Sequence, residues 1–301
     1  MTRRQALSSG VPTLDDAMTL TDPQWHEFAG RALAEDHADD DITTALLGDA
    51  AEEPAVGRFR AEAAFVVAGL PLMEAVFHEL DAATTTERAV AEGDRVAIGD
   101  TIAVVHGRGG VLLSGERVAL NYLQRLSGIA TVTRRAVDAV AGTGAVITDT
   151  RKTTPGLRAV EKYAVRIGGG VNHRVSLADA VLWKDNHWEL LGRGAENLAD
   201  ALRGVPDGMP VCVEVEDERQ LEAAVAAGVD WILVDNQTPD TIASWFKRLG
   251  PGVTIEASGG ITPDNVRPFA EAGAQRISMG ALTYAPDLVS ISFEVGLRSS
   301  P

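Results

Sequence analysis

Six short apolar runs, AVITDT (145–150), AVLWK (180–184), VCVEVE (211–216), WILVDN (231–236), TIEAS (254–258) and RISMGA (276–281), alternate with amphipathic stretches such as ERQLEAAVAAG, PDTIASWFKRLG and PDNVRPFAEAG. This rhythm most constrains the chain. Strand–helix alternation implies parallel strands, each followed by a right-handed crossover. The runs close on polar residues: Asp149 to Lys152, Lys184, Glu214, Asp235 and Ser258. In a (β/α) barrel the strand C-terminal ends carry the active site, so polar ends converging from every strand favour a ring. Six strands are too few for the standard eight-stranded barrel. The expected fold is therefore α/β, with a barrel-like ring of parallel strands favoured and an open doubly wound sheet as its rival.

The first half reads differently. GRFRAEAAFVVAGLPLMEAVFHEL is a strand followed by an amphipathic helix, and ERAVAEGDRVAIGDTIAVVHGRGG gives short strands punctuated by Gly-Asp turns. The segment LSGERVALNYLQRLSGIATVTRRAVDAVAG has apolar residues at helical spacing and ends on Gly, so it reads as a helical bridge into the second half.

Composition narrows the function. The single cysteine, Cys212, excludes a disulfide framework, and the apolar runs are too short to span a bilayer. No apolar segment follows the two arginines of MTRRQALSSG, so no secretory signal is read and a cytoplasmic protein is expected. A formal net charge of −16 disfavours nucleic acid and anionic membranes as partners. Against that background Arg151, Lys152, Arg158, Arg166, His173, Arg174 and Lys184 crowd into one segment. A solvated basic helix face is the bland alternative, but most of these residues fall in turn-like or strand-end contexts. A small polyanion is the expected ligand.

Three further segments carry chemistry. ASGGIT (257–262) exposes backbone N–H groups after a strand, with a helix expected near Pro263, and SMGA adds Gly280 one βα unit later; together they read as a phosphate cup. Glu214 and Asp235 end neighbouring strands, where carboxylates can hold Mg²⁺ indirectly or stabilise a cationic centre. In GGGVNHRVSLADAVLWKDNH the glycines permit close backbone approach, and His173, Arg174 and Lys184 supply donors for carboxylates or phosphates. No third ligand accompanies His173 and His187, so a metal reading there is weak. The set suits a phosphorylated sugar bearing pyrophosphate, together with an acidic co-substrate.

TDTRKTTPGLRAVEKYAVRIGGGVNHRVSLADAVLWKDNH closely resembles the signature region of the quinolinate phosphoribosyltransferases. AEDHADDDIT, SGERVALNYLQRLSGIAT, VEVE, LVDN, SGGIT and MGALT follow in the family's order, so the likeness runs through nearly the whole chain. The resemblance implies an N-terminal α/β sandwich domain (1–126), a partly closed (β/α) barrel domain of parallel strands (127–283) and a tail (284–301) packing on the first, assembled as a homodimer. It implies transfer of phosphoribose from PRPP to quinolinate with Mg²⁺, giving nicotinate mononucleotide, pyrophosphate and CO₂ in de novo NAD biosynthesis. By motif, Arg151, His173 and Arg174 would hold the quinolinate carboxylates, with Arg117 reaching in from the partner subunit. Lys152 and Lys184 would bridge towards PRPP, and Glu214 and Asp235 would act on the ribose hydroxyls and Mg²⁺. Ser258, Gly259, Gly260 and Gly280 would bind the 5′-phosphate.

The chain departs from the family's pattern at Tyr284, where His is usual, at Cys212, where an acid is usual, and at Ser176, Trp188 and Asp40. A phosphoribosyltransferase for another heteroaromatic acid and a non-catalytic PRPP-binding homologue are the alternatives. The intact set Arg117, Arg151, Lys152, Lys184, Glu214 and Asp235 speaks against the second.

Overall fold

A computed structural model describes residues 20–192, 197–229, 231–250 and 252–297. They divide into two compact units: residues 20–132, 159–168 and 285–297 form one, and residues 133–158 and 169–284 the other.

The amino-terminal unit holds α1 (Asp22–Asp36), α2 (Ile42–Ala45), β1 (Pro54–Ala61), β2 (Phe65–Val66), α3 (Leu70–Leu80), β3 (Thr85–Arg88), β4 (Arg95–Val96) and β5 (Thr101–Arg108). It also takes most of α4 (Gly109–Ala139), most of α5 (Arg158–Ile167) and the last strand, β12 (Ile291–Leu297). Its main sheet is antiparallel in the order β12–β1–β5–β3. Gly57 explains how the tail seats: a Cβ there would stand 2.1 Å from Phe293 Cζ, so only glycine lets the ring lie against β1. Phe293 packs on Phe59 at 4.4 Å and Phe77 at 5.9 Å between centroids. Phe59 and Phe77 are fully buried, and each contributes on the order of 1.5–3 kcal/mol by leaving water. Gly69, at φ 105°, precedes α3, and the Glu92 carboxylate accepts the N–H groups of Gly69 and Leu70, serving as the missing cap. Tyr163 on α5 donates to that same carboxylate at 2.8 Å and packs edge-on against Trp25.

The boundary expected at 126/127 falls inside the continuous helix α4, while the units divide at 132/133. An uninterrupted helix carries no linker signal. α5, expected within the barrel, sits with the amino-terminal unit because its Glu161 meets Arg125 and its Tyr163 meets Glu92.

The carboxyl-terminal unit contains β6 (Val146–Thr148), β7 (Val181–Trp183), α6 (Asp185–Leu191), α7 (Leu198–Ala201), β8 (Val211–Val215), α8 (Glu218–Ala226) and β9 (Trp231–Asp235). It continues with α9 (Pro239–Leu249), β10 (Thr254–Ser258), α10 (Val266–Glu271), β11 (Arg276–Ser278) and α11 (Ala281–Tyr284). All six expected strands form. They pair in parallel in the order β6–β11–β10–β9–β8–β7. From β7 to β11 each strand lies beside its successor, without the mid-sheet reversal that defines a doubly wound fold. This is a barrel's winding. Among the described residues β7 pairs only with β8, and Thr148 on the other edge bridges to Val171, so the ring is partly closed. The helix expected near Pro263 starts at Val266, because Asn265 turns back to Thr262 N and Gly260 O first. No helix among the described residues is long and apolar enough to cross a membrane.

Candidate active site

Period-two alternation organises the carboxyl ends of the barrel strands. Lys184, Glu214, Asp235, Ser258 and Gly280 end or follow five neighbouring strands, and two residues below them lie Leu182, Cys212, Leu233, Glu256 and Ser278. The side chains of the upper set, Gly280 apart, are polar. The lower set is core.

The loop after β6 carries Arg151 and Lys152. Asp149, fully buried, anchors its start by accepting from Asn172 Nδ2 at 2.6 Å and His173 N at 2.9 Å. Lys152 O accepts from Thr283 Oγ1 at 2.7 Å, which ties the loop to α11. Arg158 donates to Thr153 Oγ1 and to Val175 O, so this cation braces two loops. Lys152 crosses Gly280 so closely that a Cβ there would meet its Cδ at 2.9 Å. Arg166, expected in the cation cluster, belongs instead to the amino-terminal unit near Tyr163.

Arg174 is buried, and its Nη1 donates to Ala180 O at 3.0 Å. Burial, and then the neighbouring positive charge of Arg151, pull its pKa below the ordinary guanidinium value. The Nε atoms of Arg151 and Arg174 are both buried without a hydrogen-bond partner. Two like charges held together with unused donors can hold an anion, since one bound carboxylate would relieve both defects. Arg174 also lines a cavity of about 360 Å³ with Leu182, Trp183 and Met209. His173 lies beside it: Nδ1 accepts the Arg174 N–H at 2.8 Å, and Nε2 stands 3.6 Å from Glu256 Oε1.

Lys184 Nζ is in short contact with Glu214 Oε2. The Glu214 carboxylate is buried, and Trp188 Nε1 donates to Glu214 O at 2.9 Å, fixing the end of β8 from behind. Asp235 accepts from Asn236 Nδ2. Desolvation, followed by the charges of Asp235, Glu214, Asp185 and Asp217, pushes the Glu216 carboxyl above its usual range. Glu216 is exposed and shares the acidic rim. No group of three or more potential metal-ligating His, Cys, Asp or Glu side chains occurs among the described residues. Glu214 and Asp235 suit a Mg²⁺ that brings phosphate and water ligands with it.

Gly259 and Gly260, at φ 91° and 61°, turn the chain after Ser258. A Cβ on Gly259 would stand 2.2 Å from Asn236 Oδ1, while Gly260 faces open space. Successive left-handed residues of this kind expose N–H groups to an anion. Arg117 is exposed on α4 in the amino-terminal unit.

Residues 129–294 match the model of the quinolinate phosphoribosyl transferase C-terminal domain, and residues 41–127 match that of the N-terminal domain. The chain belongs to the quinolinate phosphoribosyltransferase family. It is 43% identical over 234 residues to a probable nicotinate-nucleotide pyrophosphorylase (carboxylating) of Bacillus subtilis, covering 78% of this chain and 81% of that one. Identity to the human nicotinate-nucleotide pyrophosphorylase (carboxylating) is 40% over 237 residues, covering 76% and 78%. Among solved structures, NadC from Streptococcus pyogenes superposes with a TM-score of 0.88 at 37% identity, covering 94% of this chain and all of that one. Most departures from the family pattern have structural explanations. Cys212 is wholly buried against Trp231 and Leu233, with its thiol pKa raised by that burial. Ser176 donates to Asp179 and shapes its own loop. Tyr284 lies beside Gly280, at the rim.

Proposed function

We propose that this chain transfers phosphoribose from PRPP to quinolinate with loss of CO₂, forming nicotinate mononucleotide and pyrophosphate in NAD biosynthesis. The observation that carries the reading is the Arg151–Arg174 pair, whose mutual repulsion and unused buried donors ask for a carboxylate-rich ligand. Quinolinate has two adjacent carboxylates. Arg151, Arg174 and His173 form its cradle, and Arg117 completes it from the partner subunit of a homodimer.

Ser258, Gly259, Gly260 and Gly280 take the 5′-phosphate, and Lys152, crossing Gly280, reaches the pyrophosphate side with Lys184. Asp235 and Glu214 face the ribose hydroxyls and are the protein carboxylates available to Mg²⁺, whose contribution when bound is to neutralise the leaving pyrophosphate. The pyridine nitrogen forms a bond to C1 of the ribose as the C1–O bond to pyrophosphate breaks. The same carboxylates stabilise positive charge developing on the ribose. The 2-carboxylate then leaves as CO₂, its electron pair passes into the cationic ring, and the ring carbon takes a proton. Arg151 and Arg174 hold the ring in place throughout, so the protein's work is positioning and electrostatics.

The test is to incubate the protein with PRPP and Mg²⁺, with quinolinate or with nicotinate, and follow products by mass spectrometry. Nicotinate mononucleotide from quinolinate alone is expected. PRPP binding without any product would favour the silent homologue, and product from another pyridine acid would reassign the substrate. Mixed dimers of Arg117→Ala and Lys184→Ala test the shared site: they regain activity only if Arg117 acts across the interface.

A further inference from the structure

Glu256 stands in the middle of β10, fully buried, where an apolar residue would serve the core. Its Oε2 accepts from Arg276 Nε at 3.0 Å and Trp231 Nε1 at 3.0 Å. Arg276, also fully buried, stacks over the Trp231 ring at 5.0 Å and reaches Thr148 Oγ1. The other oxygen, Oε1, faces His173 Nε2 at 3.6 Å, and the His173 and Trp231 rings lie 5.1 Å apart. A buried ion pair gains little stability over an apolar pair of the same volume. Its place directly under the anion cradle is the informative fact.

We propose that Glu256, paired with Arg276, is a positioning residue for the dicarboxylate cradle and acts through His173. This rests on the functional reading above. The Arg174 N–H can only donate, so the His173 Nδ1 it meets must lack a proton. The ring's proton therefore sits on Nε2, pointing at Glu256, and the imidazole is neutral. Glu256 fixes that tautomer, the tautomer fixes the Arg174 backbone, and the Arg174 guanidinium starts from a set point. The cradle's positive charge comes from its arginines, while His173 supplies geometry. Glu256 itself touches no reacting atom.

Glu256→Gln alone removes a negative charge from beside the buried Arg276 and tests folding more than function. The informative variant is Glu256→Gln/Arg276→Met, which removes both charges and keeps an acceptor for Trp231. Its expected KM for quinolinate is raised about tenfold or more, as a misplaced cradle implies, with the KM for PRPP within about twofold of the parent. A folded variant with parental KM for quinolinate overturns the inference. An independent measurement uses the unaltered protein: ¹⁵N chemical shifts of its histidines, with His173 assigned through His173→Asn. A neutral ring protonated on Nε2 at neutral pH is expected, and a proton on Nδ1 overturns it. If the unaltered protein does not turn over quinolinate at all, the functional reading fails, whatever the tautomer shows.

Discussion

Burial, and after it the charge of Arg151, lowers the pKa of Arg174, and neither guanidinium has a hydrogen-bond partner for its buried Nε. The unliganded protein thus holds two like charges together at a cost in stability. Arg151→Gln should lower kcat/KM for quinolinate by about 10²-fold, the scale of one preorganised charge contact. It should leave the unliganded Tm equal to or above that of the parent, because the repulsion is gone. Quinolinate should raise the parent's Tm by mass action and leave the variant's unmoved. Parental KM in the variant would remove Arg151 from the cradle.

Much of this was legible in the sequence, for identifiable reasons. Six apolar runs ending in polar residues dictate parallel strands with a functional rim, because side-chain alternation and strand direction leave little freedom. TRK, NHR and KDNH announce the cations directly. What stayed hidden depends on long-range pairing. Glu256 reads as an ordinary strand residue until Arg276, 20 positions later, is found against it. The only local signal was a charge inside an apolar strand. Arg166 looks like another site cation until α5 is seen to pack with Trp25 and Glu92 of the amino-terminal unit. Trp188 reads only as a departure from the family's pattern until its indole is seen bonded to the backbone of Glu214.

Lys184 and Glu214 form the second charge pair, in which the carboxylate is buried and the amine is 43% exposed. Lys184→Met strands the carboxylate. The expected destabilisation is about 1–3 kcal/mol, below that of a fully buried pair because water reaches the lysine's place. Lys184→Met/Glu214→Gln should recover most of that stability while activity stays lower by about 10²-fold. Urea titrations of the parent, the single and the double variant decide it. A double variant no more stable than the single would mean the pair is not coupled.

Gly259 and Gly260 are neighbours with unequal constraints. Both adopt left-handed φ, so alanine at either position strains the backbone by about 1–2 kcal/mol. Only at Gly259 would the methyl also collide with Asn236, at 2.2 Å. Gly259→Ala should therefore shift Ser258 and Asn236 apart and weaken PRPP binding by about tenfold or more, measured by calorimetry. Gly260→Ala should cost Tm with a smaller loss of affinity. Equal affinities in the two variants would detach the Gly259 turn from the phosphate.

Glu216 permits a test by pH. Desolvation and the acids Asp235, Glu214, Asp185 and Asp217 raise its carboxyl pKa above 4.5 in the folded state. A raised carboxyl pKa means that the folded protein binds the proton more tightly than the unfolded chain. Stability then falls as pH rises from 4.5 through the folded value, and the penalty persists above it. Glu216→Gln removes the penalty, so its Tm should exceed the parent's at pH 7.5. At pH 4, where the proton is bound in both states, the two should converge. Magnesium with PRPP should narrow the gap at pH 7.5, because cationic charge beside Asp235 relieves the same repulsion. Thermal denaturation across pH 4 to 8 measures all three effects, and a Tm gain of the same size at both ends would assign it to packing instead of charge.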